Sequence, residues 1–201
     1  MNLPNKLTVL RIFMIPVFLM FFFCDFIPHN YFWAFLTFAI ASLTDMFDGM
    51  LARKWNLITD FGKLMDPLAD KLLTIAAFVC LLSMWRDPWY IAGLICLIVI
   101  ISREFVVTSM RLVAAEKGVI LAADKWGKFK TIAQMVWICQ ALLESSVFFN
   151  RTFIIDNFDA LWLWGIFNFA LFAVVMLLTV GSGVNYIVKN RSLFTQNQGL
   201  R

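Results

Sequence analysis

Histidine occurs once in 201 residues, cysteine four times, and charged residues make up only 15% of the chain. Each scarcity closes a route. Cys24, Cys80, Cys96 and Cys139 stand apart in apolar segments, without the paired spacing of a zinc or redox centre, and read as buried thiols that behave as small hydrophobes. His29 lies beside Pro28 in a short loop and is assigned no chemistry. No internal repeat, low-complexity segment or linker breaks the chain, which reads as one membrane domain over residues 1–201. The first apolar run is long and lacks a small-residue cleavage site after it, so it is not a cleaved signal peptide.

What is abundant is apolar surface. Hydrophobic residues are 62% of the chain, with 22 Phe and 8 Trp, and the mean hydropathy is +0.81. A domain of this size with that composition is too apolar for water, so the bilayer is its expected solvent. The pattern predicts six spans, over residues 7–28, 32–53, 63–84, 89–111, 129–149 and 158–188. The third has an uninterrupted apolar run only from Leu72 to Met84, so its turns around Asp66, Asp70 and Lys71 must face protein or water. The sixth would be roughly 46 Å long as a helix, longer than the hydrocarbon core is thick, and is expected to tilt or project. If both termini and the loops after spans two and four share a side, all but Arg86 and Arg151 of the 17 Lys and Arg lie there, which makes that side cytoplasmic. No nucleic-acid partner is expected.

Against this background the stretch DMFDGMLARKWNLITDFGKLMDPLAD, from Asp45 to Asp70, stands out. Asp45 and Asp48 are three apart and Asp66 and Asp70 four apart, so on a helix each pair shares a face. One ionised side chain at membrane depth costs about 2.5 to 3.5 kcal/mol even on lenient insertion scales, so four of them call for compensation by positive charge. Hard carboxylate oxygens suit Mg²⁺ or Mn²⁺, and two such ions suit a reaction that moves a phosphate. Small residues at Gly49 and Ala52, on nearly the same face as Asp45 and Asp48, let a neighbouring helix or a nucleotide approach the backbone. Asp66 precedes Pro67, which disfavours helical geometry there, so the third helix is expected to start or kink at that point.

The stretch fits D-x2-D-G-x2-A-R-x8-G-x3-D-x3-D at all eight fixed positions: Asp45, Asp48, Gly49, Ala52, Arg53, Gly62, Asp66 and Asp70. At typical residue frequencies a chance match at a given start is on the order of 10⁻¹⁰. The chain therefore resembles the CDP-alcohol phosphatidyltransferase family, whose defining motif this is. The resemblance implies an all-α integral membrane protein of six transmembrane helices, with a polar active-site cleft at the cytoplasmic side. It implies that two divalent ions, held by Asp45, Asp48, Asp66 and Asp70, bind the pyrophosphate of a CDP-linked lipid while an alcohol attacks the β-phosphorus and expels CMP. Asp45 and Asp66 would bridge both ions, Asp48 and Asp70 would complete one site each, and Asp70 would be the general base. Nucleotide and lipid contacts would come from Asn5, Thr8 and Arg11, with Gly49, Ala52, Arg53 and Gly62; from the residues alone, Asn5 and Thr8 equally suit helix caps. A homodimer is common in the family.

The acceptor is a separate question. Arg103 and Glu104 interrupt the fourth apolar run, Arg111 follows two turns later, and GKFKT from Gly127 to Thr131 opens the fifth. A pocket of Arg103, Arg111 and Lys128 would bind an acceptor that carries its own phosphate; the plainer alternative is topological positive charge with Arg103 paired to Glu104. Lys128 and Lys130 point about 200° apart on a helix, so at most one belongs to such a pocket, and Lys128 is preferred for its neighbouring glycine. SREFVVTSMR together with GKFKT looks like the branch that makes phosphatidylglycerophosphate from CDP-diacylglycerol and sn-glycerol 3-phosphate. Relatives that use inositol phosphate or phosphatidylglycerol share the core motif. From a different class, a divalent-cation channel or carrier also places acids in a membrane, but a pore has no need of the Gly, Ala and Arg positions.

Overall fold

The computed structural model describes residues 3–55, 60–86, 89–116, 118–119, 125–148 and 158–191; within these, the side chains of residues 3–7, 45–55, 60–64, 66–67, 70, 116, 125, 147–148 and 158–162 are outside the description. Six α-helices account for nearly all of it, and no strand occurs among the described residues. They are α1 (Leu3–Phe23), α2 (Asn30–Trp55), α3 (Asp60–Ser83), α4 (Trp89–Glu116), α5 (Lys125–Phe148) and α6 (Phe158–Lys189). Each predicted span corresponds to one helix. The motif helix α3 begins at Asp60, six residues ahead of Asp66, so the Asp66–Pro67 step is not its start.

Two helix ends differ from expectation for identifiable reasons. α1 stops at Phe23 rather than near residue 28 because the chain turns at once into α2. His29 takes up a left-handed backbone conformation with φ of 57°, and its carbonyl accepts from the Phe32 and Trp33 amides as α2 begins. The buried Asn30 side chain reaches back to donate to the Phe22 carbonyl at 3.4 Å, covering one of the last unmade acceptors of α1. α4 runs beyond the predicted end at Arg111, through the apolar residues 112–115, and ends at Glu116. There the Gly118 amide donates to Ala115 O at 3.0 Å and the Val119 amide to Ala114 O at 2.9 Å, with Gly118 at a φ of 72°. This is a Schellman cap, and the glycine supplies the left-handed residue it needs.

The described helices fall into two compact units. One holds α1, α2 and α3 with the second half of α5 and the start of α6. In it α1 packs against both α2 and α3. Phe18 is fully buried, its ring 6.1 Å from Phe22 and 6.2 Å from Phe38, while Ala34, Ala41, Ala69 and Ala77 are small enough to bring backbones close. The other unit holds α4, the first half of α5 and most of α6. Here the Trp137 ring lies 5.0 Å from that of Phe172, tilted by 44°, and donates its indole N–H to Asn168 Oδ1 at 2.8 Å, joining α5 to α6, and Trp89 meets Phe169 edge-on, joining α4 to α6.

Segments Trp89–Ala115 of α4 and Leu163–Lys189 of α6 are long and apolar enough to cross a bilayer. Much of their apolar surface faces outward, as at Ile95, Ile98, Leu112, Phe169 and Leu177. Such surface is costly in water and at ease in lipid. Further apolar helical stretches lie within the described side chains of α1, α2 and α3, at Thr8–Phe23, Asn30–Thr44 and Lys71–Ser83.

Candidate active site

The motif occupies the end of α2 and the beginning of α3, both in the first unit. Positions 45 and 48 fall within continuous α2 helix, as positions 66 and 70 do within α3, so the three- and four-residue spacings translate into one shared face per helix. Asn5, Gly49, Ala52, Arg53 and Gly62 also lie on helical backbone; their side chains and those of the four aspartates are outside the described residues. Ala69 is fully buried and Leu73 nearly so, one turn apart on the side of α3 that packs inward. Positions 45, 48, 66 and 70 thus lie on two consecutive helices, and carboxylates are hard oxygen donors of the type that suits divalent magnesium or manganese.

α1 brings a polar face into the same unit. Thr8 and Arg11, three residues apart, are each only 1% exposed although one carries a permanent charge. Thr8 lies five residues inside α1, too far from its start to cap it, and the burial of Arg11 puts a guanidinium inside the unit that carries the acidic motif.

In the second unit the cations of α4 and α5 are sorted by their partners. Arg103 donates through Nη1 to Glu104 Oε1 at 3.0 Å and through Nη2 to Ser182 Oγ at 3.1 Å, while its buried Nε meets no acceptor among the described residues. Lys130, 2% exposed, donates to the same Glu104 Oε1 at 2.7 Å. One carboxylate oxygen thus ties α4 to α5 and holds two cations. The Arg103 to Glu104 pairing foreseen as the plainer alternative is present. Lys128, two residues from Lys130, is exposed. Arg111 is exposed as well and donates through Nε to the Tyr186 hydroxyl at 3.3 Å, its Cζ 5.6 Å from the centre of the Tyr186 ring. Glycine has a visible use here: a Cβ on Gly183 would stand 3.0 Å from Arg103 Cγ, and one on Gly127 would stand 3.3 Å from Arg103 Nη2.

Ser182 and Tyr186 were not among the residues the sequence singled out. A serine and a tyrosine in an apolar helix are unremarkable in composition; their one clue is the four-residue spacing, which sets both on the same face of α6.

The family model for CDP-alcohol phosphatidyltransferase matches residues 1–187, which takes in residues of both units. A CDP-diacylglycerol--glycerol-3-phosphate 3-phosphatidyltransferase of Bacillus subtilis is 41% identical over 208 aligned residues, covering 98% of this chain and 99% of that protein. A probable phosphatidylglycerophosphate synthase of Mycobacterium tuberculosis is 36% identical, covering 94% of this chain and 81% of its own length. An Escherichia coli protein with the same name as the Bacillus relative is 33% identical, covering 95% and 96%. With a family match over nearly its whole length and two long apolar helices, the chain is a membrane protein and belongs to the CDP-alcohol phosphatidyltransferase family.

Proposed function

We propose that this protein transfers the phosphatidyl group of CDP-diacylglycerol to sn-glycerol 3-phosphate, giving phosphatidylglycerophosphate and CMP. The observation that carries this reading is the complete acidic motif on consecutive helices α2 and α3, in a chain whose full-length relatives bear the names of that activity. Members of the family depend on a divalent metal. Asp45, Asp48, Asp66 and Asp70 would hold it, as two Mg²⁺ or Mn²⁺ ions. When bound, such ions supply positive charge against the pyrophosphate and its departing half.

The remaining work falls to the chain's own groups. Asp70 takes the proton from the attacking hydroxyl of the acceptor; that oxygen bonds to the β-phosphorus, and the bond from this phosphorus to the oxygen retained by CMP breaks. Asn5, Thr8 and Arg11 on α1, with Gly49, Ala52, Arg53 and Gly62, bind the cytidine diphosphate and its lipid, the small residues leaving room for it and Arg53 contributing a guanidinium fork. Arg103, Arg111 and Lys128 bind the acceptor's phosphate. The chain works as one membrane domain of six spans, with both termini and the active-site cleft cytoplasmic, where soluble phosphate esters are found; a homodimer is its proposed assembly.

Purified protein should release CMP only when both CDP-diacylglycerol and sn-glycerol 3-phosphate are supplied, should stop in excess EDTA, and should recover with Mg²⁺ or Mn²⁺. CMP release that ignores the acceptor, or equal use of free glycerol, would exclude this substrate. Metal-ion flux through reconstituted vesicles without any transfer would favour a channel or carrier instead.

A further inference from the structure

We propose that Tyr186 and Ser182, one turn apart on α6, are positioning residues that shape the acceptor-phosphate subsite by orienting Arg111 and Arg103. The inference rests on the reading that these two arginines bind the acceptor's phosphate. An arginine has a long, flexible side chain, and its value to a phosphate lies in presenting two N–H groups in a fixed plane. What fixes the plane is therefore part of the site.

The Tyr186 contact selects one of the three guanidinium nitrogens. Its hydroxyl accepts from Nε of Arg111 at 3.3 Å, and the guanidinium carbon lies 5.6 Å from the ring centre. Tyr186 itself is 3% exposed, wedged with Val107 and Met110 of α4, so the hydroxyl is a fixed point. Engagement through Nε leaves the two terminal nitrogens of the exposed Arg111 out of that bond, a pair that can grip a phosphate bidentately. The tyrosine hydroxyl, having accepted one bond, keeps its own proton to give.

Ser182 serves Arg103 by a matched polarity. Its hydroxyl donates to the Thr179 carbonyl at 3.2 Å and accepts from Arg103 Nη2 at 3.1 Å, so its single proton is committed and a lone pair faces a group that can only donate. Gly183 beside it gives the Arg103 stem its place, since a methyl group there would stand 3.0 Å from Cγ. Arg103 and Arg111 are eight residues apart and Ser182 and Tyr186 four, so one face of α6 serves two consecutive anchor points along one face of α4.

The test is steady-state kinetics on the full-length enzyme in detergent or nanodiscs, with each substrate varied in turn. Tyr186→Phe keeps the ring and its packing and removes only the hydroxyl. It should raise KM for glycerol 3-phosphate about three- to tenfold, the effect of one hydrogen bond, while kcat at saturating acceptor and KM for CDP-diacylglycerol hold. Ser182→Ala should do the same through Arg103. Combined with Arg111→Ala, the Tyr186→Phe change should add nothing further, because it acts through the side chain already removed. If Arg111→Ala raises the acceptor KM but Tyr186→Phe and Ser182→Ala do not, or if Tyr186→Phe and Arg111→Ala multiply independently, the positioning role is wrong while the subsite reading stands. If Arg111→Ala and Arg103→Ala both leave the acceptor KM unchanged, the subsite reading itself fails.

Discussion

Replacing Asp by Asn removes one negative charge and one anionic ligand oxygen while keeping the volume, which makes it the cleanest probe of the acidic motif. Each of Asp45→Asn, Asp48→Asn, Asp66→Asn and Asp70→Asn is expected to lower turnover by at least about a hundredfold, the scale on which a displaced metal or an absent base acts. Asp70→Asn should differ from the rest in kind. If its principal task is proton removal, it should bind CDP-diacylglycerol near-normally and lose about 10²- to 10⁴-fold in kcat. Equilibrium binding of the CDP-lipid beside single-turnover CMP release separates the two effects. Near-normal rates in two or more of the four variants would move the site elsewhere. Among the cations, side-chain surroundings decide what spacing alone does not. Lys128 and Lys130 face opposite ways on α5, and it is Lys130 that is buried against Glu104 while Lys128 is exposed. Glu104 belongs to another helix, 26 residues earlier, and no local pattern announces which of two nearby lysines it takes.

At the scale of elements, the end of α4 offers a test of helix-stop chemistry apart from catalysis. Gly118 has a φ of 72° and nothing within 4 Å of where a Cβ would be, so the cost of Gly118→Ala is conformational and not steric. About 1 to 2 kcal/mol is expected for an L-residue in that left-handed well, seen as a lower thermal midpoint in detergent with KM values unchanged. A midpoint equal to that of the parent protein would mean that the cap contributes nothing measurable. The same segment shows what a sequence discloses and what it hides. Apolar patterning marked each of the six helices among the described residues, since apolar runs of that kind suit helices in lipid. It misplaced ends such as that of α4, where the charge of Arg111 ended the predicted span although apolar helix runs on through residues 112–115 until a glycine stops it; the signal, Gly118, was there in the chain but the charge outweighed it. The acidic motif was legible because a fixed set of residue types at fixed spacing is a local property of α2 and α3. Ser182 and Tyr186 were not, since their use depends on Arg103 and Arg111, which lie 79 and 75 residues earlier.

At the scale of the whole molecule, charge asymmetry makes a claim that neither residues nor helices make alone. Of 17 Lys and Arg, only Arg86 and Arg151 fall on the side opposite the termini if six helices alternate direction, and the positive side of a membrane protein is cytoplasmic. On that proposed arrangement the connection between α2 and α3, which joins the two halves of the acidic motif, would face the same side as the connection between α4 and α5. Free thiols at Cys24, Cys80, Cys96 and Cys139 have first to be removed, which suits a protein whose cysteines form no disulfide among the described residues. In that background a membrane-impermeant thiol reagent added to intact cells should modify Arg151→Cys and leave Lys125→Cys untouched, and opening the membrane should let it reach both. The outcome bears directly on mechanism, because soluble glycerol 3-phosphate and released CMP are exchanged with the compartment the acidic motif faces. Labelling of Lys125→Cys from outside, with Arg151→Cys protected, would turn the motif outward and separate it from its soluble substrate. Labelling of both from outside would break the alternation itself, and with it the six-span arrangement on which the cytoplasmic cleft depends.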